Sequence, residues 1–201
     1  MSKALAIDVN QLYTASAKQP SVVDVPELRF LMVDGGGDPN TSPEFQEAIQ
    51  ALYSLTYGVH FALKKAGVES RVRPLEALWW APGKGGLLEA DKAMWRWTAM
   101  LLQPDEITPA LLEKVRTEAA RKKSLPKLSE ARLETFREGL SAQIMHVGPY
   151  SAEQPTIERL HTFITGAGYH LRGKHHEIYL GDPRRAAPEK LKTIVRQPIA
   201  R

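Results

Sequence analysis

The order of strand and helix signals repeats once along this chain, and that repeat narrows the fold more than any other feature. Leu31-Met32-Val33-Asp34-Gly35 resembles Ile144-Met145-His146-Val147-Gly148: each is a run of strand-favouring residues ending in a glycine turn. Each is followed by a helix with a proline near its start, Pro43 or Pro155, and each helix stops at a glycine, Gly67 or Gly168, before another strand. The period is roughly 110 residues, too long for a solenoid unit, so the pattern reads as a duplicated β-α-β-β module. One copy alone leaves a sheet face bare, and pairing two copies buries it. The expected fold is α+β with pseudo-twofold symmetry, built of antiparallel sheets with helices on one face and a ligand groove on the other. The expected layout is one domain over residues 1–201, with an arm at 1–19 and repeats at roughly 20–124 and 125–201.

Local signals fill in the elements. Ser21 to Val23 and Leu28 to Val33 read as two short strands with Pro26 in the turn between them, and Asp34 to Asn40 reads as a loop. Ser42-Pro43-Glu44 is a cap, first-turn proline and dipole-matched acid, opening a helix that runs to Lys64-Lys65. Arg71 to Trp80 and Met94 to Leu102 read as strands, and Pro109 to Lys123 as a helix capped by Thr108. In the second half, Ala131 to Arg137 and Leu140 to Val147 read as a hairpin around Glu138-Gly139. Ser151 to Thr165 reads as a helix, and His175 to Leu180 and Leu191 to Arg196 as strands.

Composition excludes several function classes. The absence of cysteine removes disulfides, thiolate metal sites and a cysteine nucleophile, and fits a reducing cytosol. The start, Met1 to Asn10, has its apolar run Ala4 to Ile7 cut short by Asp8, so no signal peptide is expected. No run of about 18 apolar residues predicts a membrane helix. The net charge of +4 comes from a knot at Arg121-Lys122-Lys123, which ends a helix, and from a basic tail. Neither makes the aromatic-interleaved stripe of a nucleic-acid reader, so no nucleic-acid partner is expected. The six histidines show no zinc spacing, no Gly-x-Ser-x-Gly elbow is present, and Leu78 stands where a phosphate loop needs its first glycine. No metal or cofactor is expected.

Three groups of residues are left as site candidates. Strand alternation places Glu177 and Tyr179 on one face and His176, Ile178 and Leu180 on the other. If the apolar face meets the helices, Glu177 points into the groove, where a carboxylate among aromatics attracts a cation or serves as a general acid or base. The same pattern also fits a solvent-facing glutamate. All four tryptophans, Trp79, Trp80, Trp95 and Trp97, fall on two consecutive strands, more than one core layer needs, so at least one should line the groove. Tyr53 and Tyr57 lie one helical turn apart and fit either a ligand wall or a core edge.

Taken in order, Val23-Asp24-Val25-Pro26, Gly35 to Asn40, Leu78-Trp79-Trp80, Trp95-Arg96-Trp97-Thr98, His146-Val147-Gly148-Pro149-Tyr150 and Lys174 to Arg184 resemble the GyrI-like small-molecule-binding family over nearly the whole chain. The resemblance implies tandem β-α-β-β modules around a central groove that holds flat or cationic drug-like molecules over a glutamate, here Glu177. Tyr179, Tyr150, Trp79, Trp97 and Tyr57 would line it. Stand-alone members with this tryptophan pattern are similar to cyclopropanoid cyclopropyl hydrolases, which open the cyclopropane of DNA-alkylating compounds by adding water. Glu177 and Tyr179 would then be catalytic. No helix-turn-helix arm is recognisable. The resemblance implies a small-molecule partner, and the composition adds the expectation of a cytoplasmic protein with no membrane partner, its oligomeric state left undefined.

Overall fold

The computed structural model describes residues 8–83 and 86–201; the apolar run Ala4 to Ile7 and the Lys84-Gly85 pair of the glycine-rich connection lie outside them. The fold is α+β, with antiparallel strand pairing and, among the described residues, four α-helices. Two compact units are present: a central unit of residues 28–136, and a terminal unit of residues 8–27 with 137–201. The unit boundaries therefore fall within strands, at 27/28 and 136/137.

The central unit carries most of strand β1 (Ser21–Gly36), helix α1 (Pro43–Lys65), strand β2 (Leu75–Trp80), the short helix α2 (Gly86–Glu89), strand β3 (Arg96–Leu102) and helix α3 (Pro109–Lys122). Strand β3 lies between β1 and β2 and is antiparallel to both. Helix α1 begins as its sequence dictates, with the Ser42 hydroxyl accepting from the Glu44 amide at 3.3 Å and Pro43 in the first turn. Its apolar face, including Ala48, Leu52, Leu55 and Val59, is wholly buried. Gly58 lets α3 come close: a methyl group there would meet Val115 Cγ1 at 2.3 Å.

Gly35 has a similar use. It pairs with Trp97 across β1 and β3, and a Cβ at Gly35 would sit 2.1 Å from the Trp97 ring. The expected loop from Asp34 is therefore still strand as far as Gly36, because the glycines make room for an indole. Trp97 is fully buried with Phe45 edge-on at 5.0 Å, so the ring has nowhere to retreat. Gly35→Ala should cost about 1–3 kcal/mol through overpacking, measured as a lowered urea midpoint with unchanged slope.

The terminal unit holds most of strand β4 (Arg132–Val147), helix α4 (Gln154–Gly166), strands β5 (His170–Leu171), β6 (His175–Tyr179) and β7 (Lys192–Ala200), and a 3₁₀ turn at Val9–Tyr13. Strand β7 pairs antiparallel with β4 on one side and with β6 and β5 on the other. Ala142 and Ile144 of β4, Val195 and Ile199 of β7, and Ile157, Leu160 and Ile164 of α4 form one apolar cluster.

Two expected turns are absent. Pro26 lies inside β1, which is a single strand, and Glu138-Gly139 lies inside β4 rather than at a hairpin tip. Proline keeps an extended φ and removes only one ladder donor, so a strand can pass through it. Gly139 takes φ 75° while the strand continues, which is bulge geometry.

On β6 the apolar side is not the one that meets the helix. Glu177 pairs with Val195, and Tyr179 pairs with Thr193. Directly paired residues share a face, and Val195 belongs to the cluster under α4, so Glu177 and Tyr179 lie on the helix side of this sheet. The opposite face of this sheet is buried and carries a polar cluster beside Ile178 and Ile194. There His176 Nδ1 lies 2.9 Å from Glu138 Oε1, and the Arg196 guanidinium donates to Glu138 Oε2 at 3.3 Å and to Gln143 Oε1 at 2.9 Å. The same arginine donates to the Leu12 carbonyl at 2.5 Å, and Gln143 donates to Thr14 O at 3.0 Å. A buried polar network therefore ties the N-terminal arm to the sheet, beside the buried apolar pair Ile178 and Ile194 on the same face.

Candidate functional site: a carboxyl pair beside two tyrosines

The site in the terminal unit is built by a turn, a helix start and two strands. His146, near the end of β4, sets the turn. Its Nε2 lies 3.2 Å from the Pro149 carbonyl and its Nδ1 lies 3.0 Å from the Thr156 hydroxyl. A carbonyl only accepts, so Nε2 carries the hydrogen and Nδ1 accepts from Thr156. Gly148, at φ 139°, turns the chain immediately after the strand. The His146 to Tyr150 motif thus fixes the 3₁₀ turn Tyr150–Ala152 and, directly after it, Glu153 at the start of α4.

Glu177 sits on β6 between two partners two residues away on the same face. The Tyr179 hydroxyl donates to Oε2 at 2.7 Å, and His175 Nε2 lies 3.3 Å from Oε1. About 15% of the Glu177 side chain remains accessible. Burial pushes its carboxyl up, but the hydrogen bond and charge of His175, the Tyr179 hydrogen bond and nearby His176 together hold it below the usual glutamate value. Glu177 is therefore an anion.

Glu153 faces Glu177 and the Thr193 hydroxyl of β7 and is 5% exposed. Burial first, and the Glu177 charge second, push its carboxyl up to about 9. A helix start favours an ionised acid, yet burial beside a second carboxylate prevails here. Tyr150 packs edge-on to Tyr179, with ring centroids 5.6 Å apart, and keeps 39% of its surface exposed. Burial, then Glu153, Glu177 and Asp182, push its hydroxyl up to about 12, so it stays a neutral donor. On α4, His161 has its Nε2 buried with no hydrogen-bond partner; burial and then nearby His175 lower its pKa.

The other residues singled out in the sequence lie elsewhere. Trp79 and Trp97 are paired across β2 and β3, and Phe45 of α1 covers both at centroid distances of 5.2 and 5.0 Å. They are buried among their neighbours, and Trp95 lies edge-on to Trp79. Tyr57 is 46% exposed on α1, its ring stacked between Tyr53 and Phe61. Sequence reading missed Glu153, His175 and Thr193 as site residues. An acid at a helix start is so common a dipole match that it carried no signal of its own.

Among the described residues, no cluster of histidine and acidic side chains is arranged to hold a metal ion, and no helix is long and apolar enough to cross a membrane.

Residues 105–200 match the family described as GyrI-like small molecule binding domain. No curated protein matches the chain. Among solved structures, an uncharacterized conserved protein from Listeria innocua is 40% identical, with TM-score 0.84, covering 96% of this chain and 97% of its own. A protein from the same organism described as a hydrolase is 39% identical, with TM-score 0.80, covering 95% and 96%. The C-terminal domain of EcmrR shares the fold at 12% identity, with TM-score 0.56, covering 91% and 98%. The chain belongs to the GyrI-like family of small-molecule-binding domains.

Proposed function

We propose that the terminal unit binds flat, cationic organic molecules, with Glu177 as the counter-charge and Tyr150 and Tyr179 as the aromatic wall. The observation that carries this is a carboxylate held anionic while 85% shielded, oriented by Tyr179 at 2.7 Å and His175 at 3.3 Å. Such a group attracts a cation more strongly than an exposed glutamate because water screens it less. A tyrosine face adds to the attraction for a desolvated cation. Trp79 and Trp97 enter this reading as core, and Tyr57 as surface. The matching strand orders, β1-β3-β2 and β4-β7-β6, each with a helix after the first strand, support a duplicated module. Equilibrium dialysis of a flat aromatic cation against a neutral molecule of the same shape tests the binding. The cation should bind at least about tenfold tighter; equal affinity would reject Glu177 as an anchor.

A second reading is hydrolysis of a cyclopropane conjugated to a dienone, favoured by the 39% identical relative described as a hydrolase. Glu177 would take a proton from water as the water oxygen bonds to the cyclopropane methylene. The ring carbon–carbon bond breaks, its electron pair moves to the dienone oxygen, and that oxygen ends as a phenol after protonation. The neutral Tyr150 hydroxyl is a suitable donor to the oxygen as charge develops. Spiro[2.5]octa-4,7-dien-6-one is a minimal probe, and water addition gives 4-(2-hydroxyethyl)phenol. Phenol formation no faster than in buffer would reject this reading and leave the binding one standing.

A further inference from the structure

We propose that Glu153 is the proton-donating member of this site, a neutral carboxylic acid that gives its hydrogen to an oxygen acceptor of the ligand while Glu177 faces the ligand's electron-poor centre. The inference rests on the reading of Glu177 as the ligand's anionic contact, and it narrows the ligand class to molecules that carry a carbonyl or similar acceptor beside that centre.

Three observations carry it. Glu153 is 95% buried, and the groups that face it are another carboxyl, Glu177, and the Thr193 hydroxyl. Two carboxyls that face each other in a shielded place are disfavoured as a pair of anions, so one of them retains its proton. Glu177 already has two partners in His175 and Tyr179 that suit its anionic form, whereas no cation among the described residues acts on Glu153. The proton therefore resides on Glu153. Finally, Glu153 Oε1 is buried without a hydrogen-bond partner among the described residues, an unmet bond that a ligand group entering the site would complete.

In the ring-opening reaction this supplies the missing proton. Water gives a proton to Glu177, the cyclopropane bond breaks, and Glu153 passes its proton to the dienone oxygen. The pair ends with one proton again, now on Glu177, and exchange within the pair restores the starting state. The other titratable groups near the pair are Tyr150 on the 3₁₀ turn, Asp182 against Tyr150, and His175, Tyr179 and His176 of β6 around Glu177.

The test combines a ligand-free titration with kinetics. The glutamate side-chain carboxyl carbons of the whole chain are followed by NMR as pH rises. One carboxyl should titrate above neutral pH, disappear in Glu153→Gln, and move to lower pH in Glu177→Gln. No glutamate titrating above neutral pH, or one that Glu177→Gln leaves unmoved, overturns the proposal whether or not any substrate is found. Thermal unfolding adds a second readout. The folded-state pKa of Glu153 is raised, so wild type must bind a proton to fold at neutral pH, and stability falls as pH rises from the ordinary glutamate range towards the raised value. Glu153→Gln should therefore raise Tm at neutral pH and flatten that fall, whereas a purely structural glutamate would give a lower Tm. With the spirodienone as probe, Glu153→Gln should lower kcat about 100-fold or more and leave KM nearly unchanged. An unchanged kcat overturns the donor role, while wild type without turnover counts against the hydrolytic reading alone and leaves the titration to decide.

Discussion

Glu177→Gln should weaken binding of a flat aromatic cation by about 30-fold or more while leaving the fold intact. The estimate follows from removing one partner of a shielded charge contact, which costs at least about 2 kcal/mol, with about 1.4 kcal/mol per factor of ten. Glutamine has nearly the same shape and still accepts from the Tyr179 hydroxyl, so the change isolates the charge. Affinity for a neutral ligand of the same outline should change little. In a turnover assay the same variant should lose the reaction altogether, since an amide cannot take water's proton. Binding is measured by calorimetry and the fold by circular dichroism. Equal affinity of variant and wild type for the cation would show that the ligand does not meet Glu177.

Breaking the buried network on the other face of the same sheet should have the largest effect on stability. Glu138→Ala leaves Arg196 in place with its carboxylate partner gone and 2% of its side chain exposed, and His176 loses its partner at 2.9 Å. Removing one member of such a buried pair typically costs about 3–5 kcal/mol, which for a chain of this length lowers Tm by on the order of 10 °C. Replacing both partners by apolar residues of similar volume, Glu138→Leu with Arg196→Met, should recover much of that loss. The Leu12 carbonyl would still lose its donor and the arm would loosen. The pH dependence has a definite sign. Burial alone would raise the Glu138 carboxyl, but His176 and Arg196 outweigh it and hold it below the ordinary value. A carboxyl depressed in the folded state contributes stability above its unfolded pKa and loses that contribution as pH falls through the folded one. Acid unfolding should therefore begin below the ordinary glutamate range, and Glu138→Leu with Arg196→Met should blunt it.

Much of this architecture was legible in the sequence because local chemistry and fold agree. Ser42-Pro43 and Thr108-Pro109 start α1 and α3, and Gly67 and Gly168, with φ near 78°, follow the ends of α1 and α4. The errors share one cause. Pro26 and Gly139 are turn residues by propensity, but long strands run through them because a proline costs one donor and a left-handed glycine makes a bulge. Gly35 was read as loop chemistry, and only the Trp97 ring opposite explains it.

The site was half legible. Alternation placed Glu177 and Tyr179 together, and the His146 to Tyr150 motif was singled out without its reason, which is the His146 bond that fixes the turn. The face of Glu177 was left open in the sequence because alternation does not say which side of β6 meets the helix. In fact His176 and Arg196 pair across the strands and both meet Glu138, a partner 38 residues from His176 that no periodicity links to it. Glu153 was invisible for the same reason. Its raised pKa depends first on burial and then on facing Glu177, and both exist only once α4 has docked on the sheet.

The most direct test of the account is to map a flat aromatic cation onto the labelled chain by amide and side-chain chemical shifts. The account predicts that the largest ligand-dependent changes fall on Tyr150, Glu153, Glu177 and Tyr179. If saturating ligand leaves Glu177 and Tyr179 unmoved while other residues shift, the terminal-unit carboxylate is not the binding site and the account is contradicted.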